Sequence, residues 1–305
     1  MGTIEWILLL ALATIWSGSF YLFKVLVEHL PPLTVVLGRV SFAAVALVAI
    51  VYLSGQRMPT SRRAWGPFFV LGALNNVIPF TLIVWGETRI ASGLAAILNA
   101  TTPLFTILLA HVMTREERLT PQKIAGVLLG LAGVVILIGP SAVHGLSLRS
   151  IAQLAIVGAA VSYGLAGIYA RRFKETPPLV TAAGQVSAST LMAFPLALLV
   201  DRPWTLTAPS WEVWSALLAL AVLCTAIAYV MYFRILAAAG ATNASLVTFL
   251  VPIGALVLGI RLLGEHPSHG DVIGMLMVFA GLAVIDGRVL ALLGRLRELR
   301  ERRAA

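Results

Sequence analysis

Ten apolar runs, each close to the length that crosses a lipid bilayer as a helix, constrain this chain more than any other feature. Spanning the hydrocarbon core takes about 20 predominantly apolar residues. With 59% hydrophobic and 11% charged residues, the 305-residue chain has too little polar surface to cover a water-soluble fold. The pattern predicts an all-α integral membrane protein. The predicted transmembrane helices are residues 4–23, 33–53, 65–85, 91–112, 124–138, 151–170, 179–200, 213–233, 241–260 and 272–285.

The second half of the chain repeats the pattern of the first. Residues 31–41 align without gaps to residues 177–187, and six of these eleven positions are identical. Further pairs follow in order, with an offset that drifts only from 146 to 149 residues: Pro103 with Pro252, Glu116 with Glu265, and Gly126 with Gly274. Each copy holds five spans, an odd number, so the second copy enters the membrane from the opposite side. This arrangement is the inverted-topology repeat of secondary transporters.

The basic residues lie mainly on one side of the ten-span arrangement, which predicts its orientation. Of the 22 Lys and Arg residues, 16 fall on one side and five on the other, while Arg39 lies inside a span. Both termini are therefore predicted to be cytoplasmic, in the plasma (inner) membrane. The predicted domains are a first five-helix repeat (1–145), a second, inverted repeat (146–287) and a basic amphipathic tail (288–305) on the inner leaflet. Without a basic aromatic platform, no nucleic-acid partner is expected.

Two segments carry a family resemblance. Residues 91–103 end in Asn-Ala-Thr-Thr-Pro and residues 244–252 in Phe-Leu-Val-Pro, and each is followed by a Glu-bearing loop and a Gly-rich helix. Trp16 lies in an Ala-rich first helix. Across both repeats the chain resembles the EamA family of the drug/metabolite transporter superfamily, including its YddG-like amino-acid exporters. The resemblance implies ten helices around a central cavity and export of small polar metabolites, with amino acids as the leading substrate class.

Arg39 lies within the second predicted span, six residues from its outer end. An ionisable residue inside a span is costly and is therefore a functional candidate. Its guanidinium is suited to bind a substrate carboxylate through two parallel hydrogen bonds. Two structural alternatives stay open: Arg39 extends to the outer interface, or it pairs with Glu87 at the outer end of the third span. The residue aligned with it in the second repeat is Gln185, so one half alone offers the charge.

Aromatic and polar residues inside the spans are predicted to line the cavity. Trp16, Ser19 and Phe20 lie on one face of the first helix at helical spacing. The repeat alignment places Tyr163 opposite Trp16. Lipid leaves polar groups unsatisfied, so they should face water or protein, and ordinary helix packing is the open alternative. The predicted cavity residues are Trp16, Ser19, Phe20, Arg39, Asn75, Asn76, Tyr163, Gln185 and Tyr229.

The predicted hinge or gate positions are Pro79, Glu87, Pro103 and Pro252. A proline inside a helix frees backbone carbonyls and permits a kink. Pro103 and Pro252 interrupt the fourth helix of each repeat, either as moving hinges or as static kinks. Two histidines and two acidic residues at 265–271 form the one cluster that resembles a metal site, but they lie in a loop. Neither a metal ion nor a cofactor is predicted.

The motifs of common enzymes are missing from the sequence, which has no His-Glu-x-x-His, Gly-x-Ser-x-Gly or Gly-rich phosphate loop. Kinked helices in an inverted repeat favour a transporter over an enzyme, with a non-transporting scaffold or receptor subunit as an alternative. The acidic residues lie near span ends, which favours facilitated downhill export by alternating access over a proton-coupled drug/metabolite exchanger. The expected partners are a small-molecule substrate and membrane lipid, and the expected state is a monomer or weak dimer.

Overall fold

The computed structural model describes residues 2–114, 119–139 and 147–287, and within these ranges the chain is helical without a strand. By length and composition, nine of its helices are suited to cross a membrane, and Val247–Leu262 is a shorter apolar helix. The chain is therefore an integral membrane protein. We number the helices α1 (Thr3–Val27), α2 (Pro32–Leu53), α3 (Arg62–Glu87), α4 (Ser92–Met113), α5 (Pro121–Ile138), α6 (Leu148–Phe173), α7 (Pro178–Val200), α8 (Trp211–Ala239), α9 (Val247–Leu262) and α10 (His269–Asp286).

Proline and hydroxyl side chains determine where several helices begin. Pro32, Pro121 and Pro178 occupy the first residue of α2, α5 and α7, where the missing N–H costs nothing. The Ser268 hydroxyl accepts from the backbone N–H of Asp271, whose carboxylate accepts from the Ser268 N–H in return. This reciprocal cap starts α10 at His269, three residues before the predicted span.

The ninth predicted span is the one that differs most from the sequence prediction. The predicted range 241–260 contains a four-residue helix, Ala241–Ala244, a turn, and then α9. Gly240 has a positive φ of 80° and separates the short helix from the end of α8. The start of this segment holds Thr242, Asn243 and Ser245 directly after Gly240, and hydropathy averaged over the whole predicted span does not register them.

Three of the described helices depart from regular α geometry in their interior. A π-helical turn occupies Ala73–Val77 in α3, and a second occupies Val222–Ile227 in α8. The two turns begin 149 residues apart, the offset that also separates Pro103 and Pro252. Helix α4 is interrupted after Asn99 and resumes at Thr102. Turns of the π type occur preferentially at functional sites, which draws attention to the middle of α3 and α8.

The helices pack so that corresponding elements of the two halves make corresponding contacts. Helix α2 packs on its counterpart α7, and α5 packs on its counterpart α10. Likewise, α1 packs on α9, and the corresponding helices of the opposite halves, α6 and α4, pack on each other. The α5–α10 contact depends on glycine, because a Cβ on Gly126 would lie 2.6 Å from the carbonyl oxygen of Gly281. Large apolar side chains such as Leu53, Val112 and Leu199 are exposed on the outside of the bundle, where lipid is their solvent.

Candidate functional site

Arg39 is held inside the bundle by neutral groups. Its side chain is 5% exposed, and its Nε donates to the Thr225 hydroxyl of α8 at 2.9 Å. The guanidinium carbon lies 3.8 Å from the ring centroid of Phe80 and 4.9 Å from that of Phe23. Cation–π contacts of this kind stabilise a desolvated guanidinium. Arg39 therefore does not extend to the outer interface, and one of its two structural alternatives is wrong.

Glu87, the last residue of α3, does not pair with Arg39. Its side chain is fully buried, and neither carboxylate oxygen has a hydrogen-bond partner among the described residues. Its backbone carbonyl accepts from Lys24 Nζ at 2.8 Å. The second structural alternative for Arg39 is therefore also wrong, and both charged groups lack the partner that the sequence suggested.

A network of amides and hydroxyls joins α3, α7 and α8 beside Arg39. Asn75 Nδ2 donates to Gln185 Oε1 at 3.0 Å and to the Tyr229 hydroxyl at 3.3 Å. The Tyr229 hydroxyl donates to Asn76 Oδ1 at 3.0 Å, and Asn76 Nδ2 donates to the Ser189 hydroxyl at 3.0 Å. Both asparagines lie in the π turn of α3, which lets consecutive side chains enter one network.

The two repeats present equivalent contacts with different chemistry. Arg39 of α2 reaches the π turn of α8 at Thr225, and its aligned residue Gln185 of α7 reaches the π turn of α3 at Asn75. Each π turn is also bonded to the first helix of the other repeat: the Cys224 thiol of α8 donates to the Ile15 carbonyl of α1, and the Ser162 hydroxyl of α6 donates to the Leu74 carbonyl of α3. The middle of the bundle thus has one charged half and one amide half.

Aromatic rings form one wall of this polar cluster. The Trp16 ring centroid lies 5.7 Å from that of Tyr232, which in turn lies 5.7 Å from that of Phe233. The ring that contacts Trp16 is therefore that of Tyr232 of α8, and cavity lining by Trp16 and Tyr163 from opposite positions stays a prediction. Tyr163 and Tyr229 lie close enough to Arg39 to interact with it electrostatically. The guanidinium, two phenols and the indole thus belong to one region of the interior.

The remaining predicted cavity residues on α1 have local roles. The Ser19 hydroxyl donates to the Trp16 carbonyl of its own helix at 2.8 Å, and Phe20 is buried in the core. The neighbouring Ser17, which was not predicted, donates to the Val251 carbonyl of α9 at 2.9 Å. This bond ties the first helix to the ninth.

The predicted hinge prolines differ in their local structure. Pro79 follows the π turn of α3, and Pro103 is the second residue after the interruption of α4. Pro252 lies inside α9, beyond the turn that precedes this helix. Their role as hinges stays a prediction, as does the role of Glu87 in a gate.

Three residues of the site were not predicted from the sequence: Thr225, Ser189 and Ser162. Thr225 lies 149 residues after Asn76, so the repeat offset would have identified it. The two serines follow no motif. In the 265–271 cluster, the Glu265 and Asp271 carboxylates accept from backbone N–H groups at helix N-termini, a structural use of groups that a metal would need.

Comparison with known proteins shows which family the chain belongs to. The model of the EamA-like transporter family matches residues 3–139 and again residues 150–286. The chain belongs to the EamA-like transporter family. Each matched segment falls within one predicted repeat. The predicted boundary at 145 lies outside the described residues, and the predicted end of the second repeat at 287 is the last described residue.

Several relatives of this EamA-like transporter are similar over nearly their whole length. A probable terminal-alkyne amino-acid exporter of Streptantibioticus cattleyicolor is 30% identical, over 96% of this chain and 95% of its own. The uncharacterized transporter YoaV of Bacillus subtilis is 23% identical over 90% and 94%. The uncharacterized inner membrane transporter YedA of Escherichia coli K12 is 25% identical over 92% and 90%.

One solved crystal structure, 21% identical, covers 95% of this chain and 98% of its own with a TM-score of 0.67. This likeness shows the fold alone. The family match and the relatives named as transporters identify the chain as a membrane transporter of small molecules, a class that does not comprise enzymes.

Proposed function

We propose that this EamA-like transporter exports amino acids or similar small zwitterionic metabolites by alternating access. The proposal rests on one observation, the hydrogen-bond donors of the buried Arg39 guanidinium that are left unused by the described residues. A guanidinium has five N–H donors, and the Nε–H is the one that meets an acceptor among the described residues. The two terminal nitrogens match the geometry of a carboxylate, so a substrate carboxylate would supply the counter-charge that the described residues do not.

The surrounding groups support a zwitterion more than a simple anion. Phenols and amides next to Arg39 offer acceptors for a substrate ammonium, and the Trp16–Tyr232 wall offers aromatic faces. The relative from Streptantibioticus cattleyicolor, named as a probable amino-acid exporter, supports the same class.

The topology that this function requires is ten spans in two inverted repeats, with both termini in the cytoplasm of the plasma membrane. The corresponding helix contacts of the two halves and the equivalent positions of the two π turns support the repeat. The excess of basic residues on one side supports the orientation. In this topology Arg39, Thr225 and the amide network lie between the halves, where inverted-repeat transporters bind their substrates.

Facilitated downhill export remains our leading mechanism. The polar cluster around Arg39 contains hydroxyl and amide groups but no described carboxylate that would carry a proton. A proton-coupled exchanger is the second candidate, and one observation favours it: Glu87 is a buried carboxylate whose oxygens have no hydrogen-bond partner among the described residues.

The test of the proposed site is substrate affinity of folded Arg39 variants. Arg39→Lys keeps the charge and loses the two-point geometry, and Arg39→Gln loses both, copying its aligned residue Gln185. Loss of a charge-assisted hydrogen bond weakens binding by about 1.5 to 3 kcal/mol, or roughly 10- to 150-fold. We expect the parent to bind an amino acid most tightly, Arg39→Lys less tightly and Arg39→Gln least tightly. Arg89→Gln, at an exposed arginine, is the matched control and should bind as the parent does.

The amide of the same amino acid discriminates the role of the carboxylate. It should bind the parent weakly and respond little to the Arg39 variants. If amino acid and amide both bind Arg39→Gln as they bind the parent, Arg39 is not the carboxylate contact.

A further inference from the structure

The corner between α3 and α4 contains a second polar site that the proposed function does not use. Here the Glu265 carboxylate, from the α9–α10 connection, accepts from two backbone N–H groups of α4. Oε1 lies 2.6 Å from the nitrogen of Ser92, and Oε2 lies 3.1 Å from that of Gly93. The first N–H groups of a helix have no partner within the helix and form the positive end of its dipole. The start of α4 therefore binds a carboxylate that reaches it from another part of the chain.

The same corner holds a polar group that Glu265 does not satisfy. The Ser92 side chain is fully buried, and its hydroxyl oxygen has no hydrogen-bond partner among the described residues. A Cβ on Gly259 of α9 would collide with the Glu265 carboxylate and lie 3.1 Å from the Ser92 hydroxyl, so both groups adjoin one point. A buried hydroxyl left unpaired is costly, and a ligand able to reach it would gain a further hydrogen bond.

A lysine supplies positive charge at this corner. Lys24 Nζ of α1 donates to the carbonyl oxygens of Glu87 at 2.8 Å and Ile90 at 3.1 Å, at the end of α3. Lys24 attracts and Glu265 repels the buried carboxylate of Glu87, which places all three charges near one another. Lys24 and Glu87 are fixed on helices, whereas Glu265 belongs to the connection between α9 and α10.

We infer that the N-terminus of α4 is a carboxylate-binding site, filled by Glu265 in the described state and taken by the carboxylate of an exported substrate when the α9–α10 connection withdraws. A substrate carboxylate would accept hydrogen bonds from the same two N–H groups and would place its negative charge near Lys24, as Glu265 does. The identity of this ligand rests on the proposed function, but the site itself does not. In the predicted topology the corner lies at the outer end of the bundle, beyond Arg39 on the way out.

The test removes the Glu265 carboxylate by mutation and measures whether a small free carboxylate binds in its place. In purified Glu265→Ala protein, acetate should raise the thermal unfolding midpoint by a few degrees in a concentration-dependent way, and chloride at equal ionic strength should not. The parent and Glu265→Gln should respond less than Glu265→Ala, because their side chains occupy the outer position and leave only Arg39 to bind acetate. Adding Ser92→Ala to Glu265→Ala should weaken the apparent acetate affinity by about 3- to 10-fold, since one hydrogen bond is lost.

Asp201 provides a matched control at another helix. Its Oδ2 accepts from the Thr34 backbone N–H at 2.6 Å and from the Thr34 hydroxyl at 3.0 Å, near the start of α2. That position offers one backbone N–H instead of two, so Asp201→Ala should respond to acetate no more than the parent does. An equal response in Asp201→Ala, an equal response to chloride, or no response in Glu265→Ala would overturn the inference.

A double variant separates this site from the one at Arg39. Arg39→Gln/Glu265→Ala should keep the acetate response, because the outer site does not use Arg39. If the double variant loses the response, acetate was bound at Arg39, and the inference fails while the proposed function stands. If Arg39→Gln alone keeps the parent's substrate affinity, the proposed function fails while the acetate response of Glu265→Ala still supports the outer site.

Discussion

At the residue scale, a full positive charge in the interior is stabilised by a hydroxyl and two aromatic faces. Thr225 accepts from Arg39 Nε, and Phe80 and Phe23 cover the guanidinium. Desolvated cation–π contacts contribute about 2 kcal/mol, well below the cost of burying an isolated ion. The charge of Arg39 is therefore incompletely compensated, and binding of a carboxylate ligand to it would release the most free energy in this state.

Removing the hydroxyl acceptor should destabilise the protein through Arg39. In Thr225→Val the Nε–H loses its acceptor, so we expect the unfolding free energy in detergent to fall by about 1 to 3 kcal/mol. Thr225→Ser should stay close to the parent because it keeps the hydroxyl. Thr190→Val is the control, since the Thr190 hydroxyl bonds only to the Val186 carbonyl of its own helix. Equal losses in Thr225→Val and Thr190→Val would contradict this account of Arg39.

Sequence reasoning found the ionisable, amide and phenol residues of the site but not the threonine and serine hydroxyls that bond to them. Arg39, Asn75 and Gln185 are conspicuous because lipid penalises such groups in any span. Thr225 and Ser189 are not, since serine and threonine in membrane helices can satisfy their hydroxyls on their own backbone. Their partners become known only when the helices are placed side by side.

At the element scale, the π turns position the site but leave no clear mark in the sequence, whereas Pro103 marks the break in α4. A π turn changes the direction of later side chains, and only a strong helical periodicity would reveal that change. Spans that meet lipid on one side and apolar neighbours on the other have little such periodicity. Helix existence was therefore predictable from hydropathy, whereas the irregular turns at Ala73–Val77 and Val222–Ile227 were not.

The close α5–α10 contact makes a prediction at this scale. A methyl group on Gly126 would lie 2.6 Å from the Gly281 carbonyl oxygen, so Gly126→Ala should force the helices apart and cost about 1 to 3 kcal/mol. Gly167 of α6 has nothing within 4 Å of the same position, so Gly167→Ala should be neutral or slightly stabilising. Thermal unfolding of both variants in one detergent measures the difference, and an unchanged Gly126→Ala protein would contradict the packing argument.

At the scale of the whole molecule, the sequence repeat and the helix contacts favour the same architecture. The alignment of residues 31–41 with 177–187 came from sequence, and the two aligned helices, α2 and α7, pack on one another in the structure. The basic tail at 288–305 lies outside the described residues, and its amphipathic role stays a prediction. The orientation of the termini and the monomer or weak-dimer state also stay predictions.

Orientation is measured by single cysteines in a Cys224→Ser background. Thr207, in the α7–α8 connection, and Thr60, in the α2–α3 connection, are both exposed. With the termini in the cytoplasm, Thr207→Cys should react with a membrane-impermeant thiol reagent in intact cells. Thr60→Cys should react only with a permeant reagent. The reverse pattern would overturn the orientation derived from the charge distribution.

The coupling mechanism is the last property to be decided at this scale, and Glu87 provides the variant that decides it. In proteoliposomes, facilitated export predicts that a labelled amino acid moves until its concentrations are equal and that a protonophore leaves the rate unchanged. Glu87→Gln keeps the size of the buried side chain and removes its capacity to carry a proton, so downhill transport should persist in this variant. A proton-coupled exchanger predicts uphill accumulation driven by a pH gradient, abolished by the protonophore and by Glu87→Gln. Because Glu87 is buried without a hydrogen-bond partner among the described residues, that pattern would identify it as the proton-binding group and replace the facilitated mechanism.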